Sequence, residues 1–398
     1  LTETGQPAEP SPFWLEALRL CGSGDGDAGQ SRVHRARSAD AAPLEEACSW
    51  SEWLQVLARQ AAAGALGEAD LPDQVRERWA VVGEGAAVLA ARLSPAAGPY
   101  EGDCSSLGAL WAEHYPAERP WSASRLETYR GCPLAFFLGQ ALRLPERVTP
   151  EAGFDSAQLG AMYHGILEGV CRGAPSGELA DQLEALPRVA EAVLAAAPAK
   201  LGFRPTALWQ QQRERLVAEV ENTLRALAEM GGGWRPEALE LGFGRPGDAQ
   251  GPLPIATPSG ARFGLRGVVD RVDVDALGRR RVIDYKSGSE AITPADLLEG
   301  RRLQLPLYAQ ALRALIDGPV VDGFYWHIRA SKRSSLTLGG FEGGAEGASA
   351  VAAEHAWSAI SGARAGKFTP SAQADGCPPY CPGAAFCWRY RPRAKFRT

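Results

Sequence analysis

Apolar residues recur at helical spacing through the first hundred residues and again from 122 to 230, after which the period shortens to that of strands. Trp50, Trp53, Leu54 and Leu57 form one helical stripe, and Trp79, Val82, Leu89 and Leu93 a second. A short apolar stretch, Trp14 to Leu20, precedes residues 22–45. That segment is rich in Gly, Asp, Ser, Arg and Ala without periodicity and is expected to be a flexible loop. Residues 94–121 are punctuated by Pro and Gly and read as a connector. Ser124 is placed to cap a helix running through Leu126, Tyr129, Phe136 and Phe137, and further helices are predicted over 157–172, 187–200 and 207–230. Segments 238–243, 262–273 and 280–286 are short, β-branched or alternating, and broken by Gly and Pro, which predicts strands. A helix over 294–316, a strand over 320–329 and a helix over 347–365 complete the pattern. Helices, then strands, then helices describe an α/β class with a mixed sheet. The expected organisation is a helical region over 1–120 followed by an α/β domain over 121–398.

Composition narrows the function. Of 398 residues, 45% are apolar and 22% charged, enough to bury a sizeable core. A net charge of −5 argues against coating nucleic acid by charge alone, but not against a local basic groove. No run of about 18 apolar residues is present to span a bilayer. The chain opens Leu1-Thr2-Glu3-Thr4, with no Met and no signal-like n- or h-region, so it is read as a piece of a longer cytoplasmic polypeptide. Residues 362–367 (GARAGK) are too short for a phosphate-binding loop, so no ATP site is expected here. Only five of 42 cationic residues are lysine, so a lysine inside a motif is informative.

The strongest local signal is Gly267-Val268-Val269-Asp270-Arg271-Val272-Asp273 followed by Val282-Ile283-Asp284-Tyr285-Lys286. An Asp beside a buried strand is costly to desolvate unless a cation offsets it. Asp270 and Asp284 on adjacent strands can hold one hard divalent ion through oxygen. Lys286, two residues after Asp284, shares its strand face. There it can orient a water or stabilise charge developing on a phosphate.

Eight cysteines are present. Cys21, Cys48, Cys104 and Cys171 are isolated and read as small buried hydrophobes. Cys377, Cys381 and Cys387 cluster near the C-terminus, and Cys132-Pro133 shares the Cys-Pro flank of Cys377 and Cys381 and is the best fourth ligand. Spacing alone leaves Zn²⁺ and an iron–sulfur cluster open. Beyond Cys387 the tail is basic and aromatic (Trp388, Arg389, Tyr390, Arg391, Arg393, Lys395, Phe396, Arg397), suited to a phosphate backbone or simply to solvent.

These residues resemble the PD-(D/E)xK nuclease superfamily, specifically the RecB-type nuclease domain found in bacterial RecB and AddB. The resemblance implies a restriction-endonuclease-like mixed sheet flanked by helices, with Asp270, Asp284 and Lys286 catalytic. It adds His164, in Gly160-Ala161-Met162-Tyr163-His164, as a metal ligand, with Glu168 one turn later on the same face, and a carbonyl near Tyr285 as a further ligand. Gln304-Leu305-Pro306-Leu307-Tyr308 matches the family's QxxxY motif, so Gln304 and Tyr308 are expected to contact DNA or support the lysine. Glu240, in the strand before the first acid, receives no role. The segment Ser122–Tyr129 resembles the entry to this domain in AddB. One Cys before the core and three after it implies a structural 4Fe–4S cluster on Cys132, Cys377, Cys381 and Cys387, a clasp joining the C-terminus to the domain's start. The implied function is Mg²⁺- or Mn²⁺-dependent cleavage of single-stranded DNA from an end, in double-strand-break repair, beside an AddA-like helicase–nuclease subunit. A stand-alone nuclease of the CRISPR-adaptation type, a non-catalytic DNA-binding subunit and a Cys₄ zinc protein are the alternatives.

Overall fold

A computed structural model describes residues 13, 47, 49–66, 73–76, 79–144, 153–371, 376–378 and 380–392. The expected loop at 22–45, Cys21, Cys48 and the last six residues lie outside them. The chain divides into two compact units, 1–95 and 96–398.

In the first unit, α1 (Trp50–Ala62) and α2 (Trp79–Leu93) pack through Leu57, Ala58 and Val82, with Trp53, Leu54 and Leu89 at the margin. Ser49 caps α1, its hydroxyl accepting from Glu52 N at 3.1 Å. The predicted stripes are too broad by one residue at each outer end. Trp50 stands exposed and stacks on Trp53, and Leu93, the last residue of its helix, is also exposed.

The second unit is a seven-stranded mixed sheet between two helical layers. Its elements run α3 (Gly108–His114), β1 (Trp121–Ser122), α4 (Ala123–Gly131), α5 (Pro133–Phe136), α6 (Ser156–Gly173), α7 (Leu179–Leu201), α8 (Trp209–Glu229), β2 (Arg235–Phe243), β3 (Leu253–Ala256), β4 (Arg262–Val274), β5 (Arg280–Lys286), α9 (Pro294–Leu298), α10 (Gln304–Leu312), β6 (Val320–His327), β7 (Lys332–Thr337) and α11 (Gly344–Arg364). The strand order is β1-β4-β5-β6-β7, with β2 and β3 also on β4; β1–β4 and β5–β6 are parallel and the other pairs antiparallel. One sheet face buries Ile283, Tyr285, Phe324 and Trp326 against α6, α7 and α8. The other buries Leu265, Val269, Val282 and Tyr325 against α4, α10 and the alanine-rich α11. No helix among the described residues is long and apolar enough to cross a membrane.

Four local expectations change. Ser122, not Ser124, caps α4, because Trp121 and Ser122 pair with β4 and leave Ser122 extended just where the helix begins. Cys132-Pro133 then ends that helix before Phe136. The expected helix over 294–316 is two helices, since Gly300 takes a left-handed φ of +76° between them and a Cβ there would come within 2.6 Å of Arg130 Nε. The helix expected at 187 starts at Leu179 and carries Pro187 inside it.

Candidate active site and cysteine centre

Strands β4 and β5 pair from Val274–Arg280 to Arg271–Ile283 and then part. Below the parting, Asp273, fully buried, holds Arg271 Nε at 2.5 Å and Arg281 Nη2 at 2.9 Å. A buried ion group so satisfied on both sides costs little and pins the strand pair. Above it, Asp270 Oδ2 accepts the Tyr285 amide at 2.8 Å, so a side chain replaces the next ladder bond and opens a fork. Asp270, Asp284 and Lys286 stand in that fork.

His164 reaches it from α6, whose start is set by an Asp155–Gln158 capping box. Its Nδ1 lies 3.3 Å from Glu240 Oε1 and 3.7 Å from Asp270 Oδ1. Among the described residues, donor atoms of His164, Glu240 and Asp270 form the one group of three lying within 4.8 Å of one another. Glu240 gets there through a left-handed backbone, φ +47°, in the middle of β2. For a non-glycine residue that conformation costs about 1–3 kcal/mol and is typical of functional positions.

Asp284 is not in this group. Its Oδ2 lies 2.5 Å from Lys286 Nζ, an ion pair set off the hydrogen-bonding direction, so that buried oxygen has no directed partner. Lys286 donates to Gln304 Oε1 at 3.2 Å and sits 5.3 Å over the Tyr325 ring. Gln304 thus braces the lysine, whereas Tyr308 lies lower, its hydroxyl against Gly267 and its ring edge-on to Phe243. Tyr285 contributes its amide to Asp270. Glu168 is turned away and pairs with Arg172 at 2.8 Å.

The electrostatics describe a site short of positive charge. Burial, and then the Asp284 charge, raise the Asp270 carboxyl to about 7, against the pull of His164. Burial opposes a charged His164, but the Glu240 hydrogen bond and the Asp270 charge overcome it and lift the imidazole to about 9. Lys286 likewise loses to burial but gains more from Asp284, and its pKa is raised. A divalent cation beside His164, Glu240 and Asp270 would offset both carboxylates of the group and the nearby Asp284, so the residues present fit one.

A cation must displace the protons on Asp270 and His164. Its affinity is therefore expected to rise with pH through about 7 to about 9, with protons released on binding. Calorimetric Mn²⁺ titrations in two buffers of different protonation enthalpy measure this. An affinity flat from pH 6 to 9 would contradict the assignment.

Two residues without a sequence-level role complete the site. Glu127 of α4 accepts the Leu303 amide at 2.7 Å and the Gln304 amide at 2.9 Å, fixing the N-terminus of the helix that carries Gln304. Burial raises the pKa of its carboxyl, opposed by these two bonds. Gly267 makes room for Tyr308, since a Cβ there would lie 2.6 Å from the tyrosine Cζ. Gly267→Ala is expected to lower stability by about 1–3 kcal/mol, the cost of overpacking, and to lower cleavage by shifting β4 beside Asp270. Thermal unfolding checks the first effect, and an unchanged midpoint would mean Tyr308 moves freely.

The four cysteines of the proposed cluster converge. Cys132 is the C-cap of α4, while Cys381 and Cys387 sit in consecutive turns, Cys381 N on Pro378 O at 3.1 Å and Cys387 N on Gly383 O at 2.7 Å. Cys377 N is held by Arg391 O at 2.6 Å. Together with Leu134, Leu138 and Pro370, all four line one recess. Burial and then, against one backbone hydrogen bond each, the neighbouring thiols push Cys381 and Cys387 up, so a bound metal would favour the thiolates of these two. Glu101 anchors the same tail, accepting from Trp388 Nε1 and from Arg389 Nη2, the latter at 2.8 Å.

The mixed sheet with its strand fork is the fold of a nuclease of the PD-(D/E)XK kind, and the family comparison agrees. Residues 120–388 match the PD-(D/E)XK nuclease superfamily, and the chain belongs to it. Among curated relatives, the AddB-type ATP-dependent helicase/deoxyribonuclease subunit of Moorella thermoacetica is 35% identical over 215 residues, 51% of this chain and 18% of that protein. The protein of the same name from Symbiobacterium thermophilum is 35% identical over 218 residues, and that from Lacticaseibacillus paracasei 31% over 246, 56% of this chain and 20% of that protein. The matched region is thus about a fifth of each relative's length.

Proposed function

We propose that this chain is a divalent-metal-dependent deoxyribonuclease, the nuclease portion of an AddB-like protein. The observation that carries it is the His164–Glu240–Asp270 donor group set beside the Asp284–Lys286 pair. His164, Glu240 and Asp270 would hold Mg²⁺ or Mn²⁺, with Asp284 completing the charge from the other strand. The ion, when bound, supplies Lewis acidity and lowers the pKa of water at the site. Lys286, kept cationic by Asp284 and steadied by Gln304, faces the scissile phosphate, orients the attacking water and stabilises the charge that develops on phosphorus oxygens. Asp270 and His164 stay in register because Tyr285 and Glu240 hold their free atoms.

The cysteine recess is read as a 4Fe–4S site. Four thiols, one from the start of the domain and three from its end, line one recess and supply the ligand number that a cubane cluster takes. The relatives are named as a subunit of a helicase/deoxyribonuclease, which favours a subunit of such an assembly over the stand-alone alternative. On this reading the chain cuts single-stranded DNA from an end in double-strand-break processing, beside an AddA-like partner. Digestion of end-labelled single-stranded DNA in Mg²⁺, Mn²⁺ and EDTA tests the reading. Metal-dependent cleavage supports it, and DNA binding without cleavage by the cluster-loaded protein refutes it.

A further inference from the structure

A second polar site lies in the same unit, away from the fork. Tyr115 is 2% exposed, yet its hydroxyl has no hydrogen-bond partner. The charged groups acting on it are Arg119, Arg125 and Arg143, with the Arg119 guanidinium 4.9 Å over its ring. Arg125 lies in the first turn of α4 beside the Ser122 and Ser124 hydroxyls and donates Nε to Gln140 Oε1 at 3.0 Å. Arg119 spends one amino group on His114 O at 2.8 Å. Arg266 of β4 is the register partner of Ser122. Among the described residues none of these four arginines has an ion pair.

Such an arrangement is unfavourable by itself. Burial and the charges of Arg119 and Arg266 weaken the hold of Arg125 on its proton. Elsewhere, the buried Arg271 and Arg281 and the half-buried Arg280 each have a carboxylate partner. Arg119, Arg125 and Arg143 act on the phenol, Arg266 acts on Arg125, and with the helix N-terminus these uncompensated guanidinium groups make a site complementary to a bound oxyanion.

Its position says which oxyanion. Arg266 precedes Asp270 by four residues in β4, and burial alternates strictly from Phe263 to Val269, so both side chains leave the same sheet face. The separation is about 13 Å along the strand. That is about four nucleotides of a stacked strand at 3.4 Å each, and fewer of a stretched one. We propose that Arg119, Arg125, Arg143 and Arg266, set over the buried Tyr115, bind a backbone phosphate of the substrate strand, a few nucleotides from the phosphate cleaved in the fork. This rests on the nuclease reading above.

Binding of a labelled single-stranded 20-mer, measured in EDTA so that nothing is cut, tests it on wild type, Arg125→Gln, Arg266→Gln and the double variant, with thermal midpoints confirming the fold. The double variant is expected to bind at least about tenfold more weakly. The slope of log affinity against log salt should flatten by about 0.7 for each phosphate no longer held. Arg125→Lys should recover part of the affinity. The variant's deficit in cleavage should shrink on oligonucleotides too short to span both sites. Unchanged affinity and slope in folded variants overturn the proposal even if the wild type cuts DNA. So does displacement of inorganic phosphate, but not DNA, by the substitutions. A wild type that binds the 20-mer through these arginines yet never cleaves it would refute the nuclease reading alone.

Discussion

Lys286→Ala is expected to lower metal-dependent cleavage of single-stranded DNA by about two to three orders of magnitude, the usual cost of removing one preorganised charge from a developing oxyanion. The lysine is well suited to that role. It is 2.5 Å from Asp284 Oδ2, braced by Gln304 and backed by the Tyr325 ring, so its charge is fixed before substrate arrives. Asp284 raises its pKa, which keeps it cationic at neutral pH and makes it a charge stabiliser more than a proton acceptor. The substitution leaves Asp284 buried without its cation, which on its own destabilises the protein. The divalent ion then becomes the remaining counter-charge, so metal affinity should be retained or strengthened while cleavage falls. Measuring both separates lost chemistry from a lost metal. Cleavage that survives the substitution would put the active site elsewhere.

The strands of the candidate site were legible because their signal is local. Asp270 and Asp284 are acids against apolar runs, and Lys286 stands one strand period from Asp284. His164 was legible only by resemblance, since a helical histidine carries no periodic signal. Glu240 illustrates what local pattern misses. A regular strand would alternate, but β2 carries a bulge between Pro236 and Ala238 and a left-handed residue at 240, so period-two reasoning cannot say where that carboxylate points. Glu127 looks like an ordinary surface acid in a short helix. Its role comes from backbone amides 176 and 177 residues away, a separation no window covers. The cap of α4 moved from Ser124 to Ser122 for the same reason. Pairing with β4 decides which of two adjacent hydroxyls meets an extended backbone.

Loss of the cysteine centre should have the largest effect on stability. Cys381→Ala is expected to lower the thermal midpoint by about 10 °C, since a few kcal/mol of metal binding to the folded state disappears and a domain of this size shifts about 2–4 °C per kcal/mol. Glu101 still accepts from Trp388 and Arg389, and Cys377 N donates to Arg391 O within the tail itself. Without the metal the rest of the recess loosens, so proteolysis within 376–392 should accelerate. The effect should also reach the fork. Cys132 ends α4, and Glu127 in the same helix fixes the start of α10, whose Gln304 braces Lys286. Loosening α4 therefore frees the lysine, and cleavage should fall together with the midpoint. Metal analysis and visible absorbance of anaerobically purified protein decide the nature of the centre. Four irons with a brown chromophore would support the cluster, whereas one zinc in a colourless protein would make the centre a tetrahedral zinc site. If Cys381→Ala instead leaves both midpoint and cleavage unchanged, the clasp is dispensable, and the path from Cys132 through Glu127 to Lys286 carries no strain to the active site.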